Sequence, residues 1–215
     1  YVDETARNEV DFSFDVYPYL PGSTTLDFLL PYEVWEDGPL AALGKLADRQ
    51  LRNRVAAGLD ESSLDRGRIA WVPGKENSIY HGKTLADYAD SVGKAPEDAI
   101  CDFLIEEQLS VLCVYHHGPD EALHPFLQHD CYMMGSDGVY FPDGIVHPRM
   151  YGSAPRLLGP CVRDQGLFSL EVAVRKLSGY PAERFGLTRR GRLEEGYYAD
   201  VVVFDPKTVT DRATY

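Results

Sequence analysis

The sequence contains no run of about 18 consecutive apolar residues, the length a helix needs to cross a bilayer, so no membrane span is expected. Positive charge is scarce: 21 Lys and Arg stand against 34 Asp and Glu, a formal net charge of −13. Nucleic-acid binding needs basic surface to displace counterions, and this balance argues against it. The acidic excess reads as solvated surface. Cysteine is limited to Cys101, Cys113, Cys131 and Cys161, with no CxxC pair and no zinc-finger spacing. These read as reduced, buried thiols. The six histidines include no His-x-His pair. No charged-then-apolar leader follows Tyr1, and a cytoplasmic location is expected.

What remains is enough for a globular core. Hydrophobic residues make up 44% of 215, sufficient for one substantial core or one domain with an appendage. Phe12 and Phe14 alternate with polar neighbours through Val16, and Pro18 then forbids continuation as a central strand. Residues 38–59 carry helical spacing through Leu40, Leu43, Leu46, Leu51 and Val55. Residues 67–72 read as a short strand stopped by Pro73-Gly74. Thr84 reads as the N-cap of a helix that Gly93 closes, and Pro96-Glu97-Asp98 opens the next helix. Strands are expected at 111–115 and 131–134, with a helix from about 119 to 128 between them. Helices are expected at 151–164 and 170–177, with a break at Gly179-Tyr180-Pro181. After Gly196 the pattern changes to Val201-Val202-Val203-Phe204, a β-forming run bounded by Pro206. Alternation of strand and helix is an α/β pattern.

The chemistry-bearing residues cluster where strands are expected to end. Asp137 follows the 131–134 strand in Gly-Ser-Asp-Gly, where a carboxylate can bind metal or move a proton, or can simply favour the turn. Arg149 can grip a carboxylate with two parallel hydrogen bonds, or it can cap a helix or pair with an acid. Tyr17 and Tyr19 follow the first strand and can donate hydrogen bonds or pack. His116 and His117 are adjacent on an extended segment, point to opposite sides, and read as structural. His81, His124 and His129 have no partner spacing, and His147 reads as orienting the Arg149 loop.

Four segments together carry a family resemblance. They are Asp15-Val16-Tyr17-Pro18-Tyr19 with Gly22-Ser23-Thr24, Gly82-Lys83-Thr84-Leu85-Ala86, and Arg190-Gly191-Arg192-Leu193 running on to Ala199-Asp200-Val201-Val202-Val203-Phe204-Asp205. The fourth is Gly135-Ser136-Asp137-Gly138 with His147-Pro148-Arg149, Tyr151-Gly152 and Pro155-Arg156-Leu157-Leu158-Gly159. In order and spacing, this set resembles the N-acyl-D-amino-acid deacylase (D-aminoacylase) family of the amidohydrolase superfamily.

The resemblance implies an α/β fold. Residues 1–190 would be the C-terminal part of a (β/α)₈ TIM-type barrel, and 191–215 the start of a small C-terminal β-rich appendage. Val201–Phe204 would then lie outside the barrel as a strand. The strands ending near Val16, Tyr115 and Met134 would bring Asp137 and Tyr17 to one rim. The implied activity is hydrolysis of N-acyl-D-amino acids to a carboxylate and a D-amino acid, with one or two zinc ions as cofactor. Asp137 would be a metal ligand and the proton shuttle, and Arg149, Tyr17 and Tyr19 would bind the small-molecule substrate. The remaining ligands are expected upstream of residue 1, in a missing N-terminal half. On that reading the chain is a C-terminal fragment, inactive by itself. Two alternatives are a cyclic-amide hydrolase of the hydantoinase or dihydropyrimidinase type and a catalytically inactive fragment. The arginine of His-Pro-Arg speaks against the first, because a ring amide offers no comparable free carboxylate.

Overall fold

Five short strands alternate with helices in a computed structural model that describes residues 2–59 and 61–215. The strands are β1 (Phe14–Val16), β2 (Gly22–Thr25), β3 (Gly67–Trp71), β4 (Leu112–Tyr115) and β5 (Tyr132–Met134). The chain divides into two compact units. One comprises Tyr1–Leu20, Pro119–Gly138 and Pro148–Tyr215, and the other Pro21–Gly118 and Val139–His147.

In the first unit β1 and β5 pair in parallel, with Phe14 opposite Tyr132 and Val16 opposite Met134. Parallel neighbours need a long crossover, and more than a hundred residues separate these two. Tyr132, Leu157, Cys161 and Ala173 are buried around the pair, with Phe14, Val16 and Met134 packed against them. Helical backbone runs from Arg149 to Arg156 and continues in wider, π-type turns from Leu157 to Asp164. A second run covers Leu170–Val174, Arg175–Gly179 and Tyr180–Arg184. The break expected at Gly179-Tyr180-Pro181 does not occur, since Gly179 keeps helical angles of φ −63° and ψ −44°. The wide turn before Pro181 absorbs the residue that lacks a donor.

The Val201–Phe204 run forms no strand and pairs with none among the described residues. Val202 and Val203 are 82% and 91% exposed. β-branched residues suit a pleated surface, but a strand exists only with a neighbour to accept its hydrogen bonds.

In the second unit β4 is the central strand of an antiparallel sheet in the order β2-β4-β3. Ser23 and Arg68 both stand opposite Val114. The helices Leu85–Val92 and Pro96–Glu106 lie between β3 and β4 in the chain. A single crossover helix would return the chain for a parallel partner, whereas two helices reverse it once more. β4, expected among the barrel strands, is antiparallel to both its neighbours, β3 before the two helices and β2 earlier in the chain. Thr84 caps the first helix in a reciprocal capping box with Asp87, and Pro96 opens the second. Ile69, Leu85, Ile100, Phe103, Leu104 and Val111 are wholly buried. Each such side chain contributes roughly 1.5–3 kcal/mol of burial. Arg52, on the helix Arg49–Gly58, bridges Asp98 at 3.0 Å and Asp102 at 2.6 Å. The segment 139–147 belongs to this unit. Phe141 stacks on Trp71 at 3.8 Å, and Ile145 N donates to Ala70 O at 2.8 Å.

Candidate functional site

Parallel pairing brings the carboxyl ends of β1 and β5 to the same edge. The chain leaves β1 directly into Tyr17 and leaves β5 into Gly135-Ser136-Asp137. Gly135 N donates to Val16 O at 3.2 Å and extends the ladder by one step. A Cβ at position 135 would stand 3.2 Å from Asp15 Cβ and Cγ, so the Asp15 side chain would have to give way. The glycine of Gly-Ser-Asp-Gly thus lets the strand end close against β1.

Arg149 opens the helix Arg149–Arg156 and joins the two strand ends. Its Nη2 lies 2.7 Å from Asp137 Oδ2, and its Nη1 donates to the Tyr17 hydroxyl at 2.7 Å. The guanidinium also lies over the Tyr17 ring, 4.7 Å from its centroid. Cation–π contact and charge-assisted hydrogen bonding therefore act on the same pair. Three of the four residues singled out from the sequence, Asp137, Arg149 and Tyr17, meet at one place.

Tyr19 has a different setting within the same unit. It is buried, and its hydroxyl donates to Asp211 Oδ2 at 2.8 Å. Arg156 lies over its ring at 4.5 Å and pairs with Asp120 and, at 3.4 Å, with Asp211. Burial first, and then the hydrogen bond to Asp211, pushes the Tyr19 hydroxyl far above the usual phenol range. Burial opposes the Arg156 charge, but Asp120 and Asp211 outweigh it. Neither Asp120 nor Asp211 is singled out by any local pattern. Arg156 could have been, since it sits seven residues after Arg149 and so on the same helical face.

His147, His81 and His129 are engaged structurally. His147 is buried, and its Nε2 donates to Pro21 O at 2.8 Å. His81 Nε2 accepts from Val72 N at 3.3 Å, and its Nδ1 faces Asp143 O at 3.1 Å. His129 Nδ1 accepts from Cys131 N at 3.0 Å. All four cysteines are free and buried. Burial raises the Cys101 and Cys161 thiols to about 11.

Known proteins match the chain as a whole. Residues 126–214 match the model of the amidohydrolase family. The chain is 37% identical to a D-aminoacylase from Alcaligenes xylosoxydans xylosoxydans over 212 residues, covering 99% of this chain and 36% of that protein. It is 36% identical to an N-acyl-D-glutamate deacylase of the same organism over 219 residues, covering 100% of this chain and 36% of the relative. The chain is a relative of the N-acyl-D-amino-acid deacylases. Its fold agrees with theirs. The crystal structure of N-acyl-D-glutamate deacylase from Bordetella bronchiseptica, complexed with zinc and a phosphonate inhibitor, is 32% identical with a TM-score of 0.73. That likeness covers 99% of this chain and 37% of the other. A D-aminoacylase crystal structure gives 34% identity and a TM-score of 0.71, over 99% of this chain and 37% of that one.

This chain thus spans little more than a third of the length of these deacylases. Among the described residues, no group of three or more His, Cys, Asp or Glu side chains is placed to hold a metal ion. Zinc sites take at least three protein ligands. Asp137 offers one carboxylate, so the residues present do not by themselves fit the zinc of the B. bronchiseptica enzyme. No helix among the described residues is long and apolar enough to cross a membrane.

Proposed function

We propose that this chain supplies the substrate-holding and proton-transfer edge of a metal-dependent N-acyl-D-amino-acid deacylase. The observation that carries the reading is the buried Arg149, bonded on one side to the Tyr17 phenol and on the other to the Asp137 carboxylate. A planar guanidinium matches the α-carboxylate that every N-acyl amino acid presents. In this reading the substrate carboxylate takes the place of the half-exposed Asp137 on the Arg149 guanidinium, and Tyr17 donates to it or to the oxygen of the reacting amide. Asp137 takes a proton from the attacking water and delivers it to the leaving amine nitrogen. A zinc ion held by Asp137 and by ligands from a longer protein of the relatives' length would supply Lewis-acid chemistry. Tyr19, proposed from the sequence as a substrate contact, is here an anchor, because its hydroxyl is already committed to Asp211.

The parallel β1–β5 pair with chemistry at its carboxyl edge supports reading residues 1–190 as part of a (β/α)₈ barrel. The unpaired Val201–Phe204 run supports reading 191–215 as the start of a β-rich segment completed elsewhere in the longer protein. Four reduced thiols favour a cytoplasmic setting. The lack of a three-donor metal group among the described residues favours a second reading for the chain by itself, that of a part without activity of its own.

The test is hydrolysis of N-acetyl-D-amino acids, N-acetyl-L-amino acids and a hydantoin by a protein of the relatives' length containing this chain, beside the chain alone. Turnover of the D-series only by the longer protein is the expected result. Preference for the ring substrate would overturn the proposal, as would stoichiometric zinc and deacylase turnover in the chain alone.

A further inference from the structure

Two arginines on one helix, Arg149 and Arg156, each cover a tyrosine of one short loop. Arg149 lies over Tyr17 at 4.7 Å, and Arg156 over Tyr19 at 4.5 Å. The two tyrosines are coupled through the backbone, since Tyr19 N donates to Tyr17 O at 2.9 Å. The pairs differ in how they are closed. Asp137, beside Arg149, is 52% exposed in its side chain, whereas Asp211, beside Arg156 and Tyr19, is only 9% exposed. Asp120 completes the second pair from another direction. Its Oδ2 meets Arg156, and its Oδ1 accepts from Leu20 N at 2.9 Å. Tyr19 and Leu20 are therefore held by two carboxylates far from them in sequence, both gathered by one guanidinium.

The segment that delivers Asp211 is seated on the same helix. A Cβ at Gly152 would stand 2.2 Å from the Tyr19 hydroxyl oxygen and 3.1 Å from Asp211 Cβ. A Cβ at Gly159 would stand 2.1 Å from Val209 O, and Arg163 Nη1 donates to that carbonyl at 2.8 Å. The last residues of the described chain thus lie along the helix that carries Arg149, with glycines where the two approach.

We propose that Asp211, acting through Tyr19 and Arg156, is a positioning residue for Tyr17. It is a latch by which the 205–215 segment holds the loop that presents Tyr17 to Arg149. The consequence for catalysis rests on the deacylase reading, but the latch itself does not. Removing the Asp211 bond frees the loop where it meets Arg149 without touching either partner of that contact. Substrate grip should suffer more than the proton transfer assigned to Asp137.

Tyr19→Phe is the mildest test, because it deletes one hydroxyl and keeps the ring under Arg156. Asp211→Ala is the second variant. Hydrogen exchange of the full chain should show the amides of Tyr17, Tyr19 and Leu20 exchanging about tenfold faster or more in both variants, as a loosened local structure does. Exchange in β2, β4 and β3 should be unchanged, which shows that the variants remain folded. In an active longer protein, Tyr19→Phe should raise KM for an N-acyl-D-amino acid about tenfold while kcat changes less than about threefold. Unchanged exchange at 17–20 would overturn the latch. Faster exchange with unchanged KM would overturn its role in positioning. A longer wild-type protein without hydrolytic activity would sink the deacylase reading alone, and the exchange result would still decide the latch.

Discussion

Arg149 Nη2 and Asp137 Oδ2 are 2.7 Å apart, yet the arginine side chain is 3% exposed and the aspartate 52%. The two halves of this ion pair therefore answer to different solvents. A buried guanidinium needs its partners to remain buried, whereas a half-exposed carboxylate loses little on leaving. Arg149 also retains the Tyr17 phenol at 2.7 Å. Asp137 can therefore change partner when another anion takes its place on Arg149, which suits a proton shuttle beside a fixed anion grip.

Arg149→Lys should separate grip from chemistry. Lysine keeps the charge but loses the planar fork and the stacking on Tyr17. In an active longer protein KM should rise by roughly 10- to 100-fold, corresponding to about 1.5–3 kcal/mol of charge-assisted hydrogen bonding, with kcat changed far less. Steady-state kinetics on N-acyl-D-amino acids measure this. A fall in kcat at constant KM would mean that Arg149 acts on the transition state instead.

Asp137→Asn should do the converse. The amide keeps the shape but carries no basic oxygen, so turnover should fall at least ~10²-fold, the lower range for a positioned acid–base group. Because the lost charge faces the buried Arg149, the change should also lower the unfolding free energy, by about 1–3 kcal/mol. An enzyme with normal turnover after this change would remove Asp137 from the mechanism.

Gly152→Ala should destabilise the unit built on β1 and β5. Its Cβ would meet the Tyr19 hydroxyl at 2.2 Å inside a packed region. The cost should be about 1–3 kcal/mol, the usual range for overpacking. Gly44→Ala, on the helix Pro39–Lys45 with open space around the added methyl, should instead stabilise by about 0.5–1 kcal/mol. Denaturant unfolding compares the two. Equal effects would mean that the close approach at Gly152 relaxes without cost.

Alkaline pH should weaken the fold through its buried thiols. Burial, the largest cause, raises Cys101 and Cys161 to about 11, whereas an unfolded thiol titrates near ~8.5. A group raised on folding contributes stability that is fully present below the unfolded pKa and lost as pH rises through the folded one. Burial also raises Tyr88 and Tyr132, and their contribution is lost above about pH 10, the unfolded phenol value. The Tm should be flat near neutrality and fall between about pH 8.5 and 11, while native thiols react slowly with a disulfide reagent. A Tm independent of pH up to 11 would contradict the burial argument.

Much of the local structure was legible in the residue order. Thr84 and Asp87 make a capping box because both partners lie within one turn, and Pro96 opens a helix because its missing donor costs nothing there. The apolar run before Gly135 becomes β5, and the Asp137 at its end meets Tyr17 through Arg149 as the strand-end pattern suggested. Three outcomes depended on partners far along the chain. β4 has a β-strand composition, but the direction and identity of its neighbours are a matter of topology. Val201–Phe204 is also a β-forming run, yet it stays unpaired with its three valines exposed, because a strand is a property of a pair. Asp211 reaches Tyr19 across 192 residues with no periodic or motif signal to announce it. Propensity, capping and turn chemistry act over a few residues and can be read from order alone. Which tyrosine faces substrate and which is latched is decided by groups that become neighbours only when the chain folds.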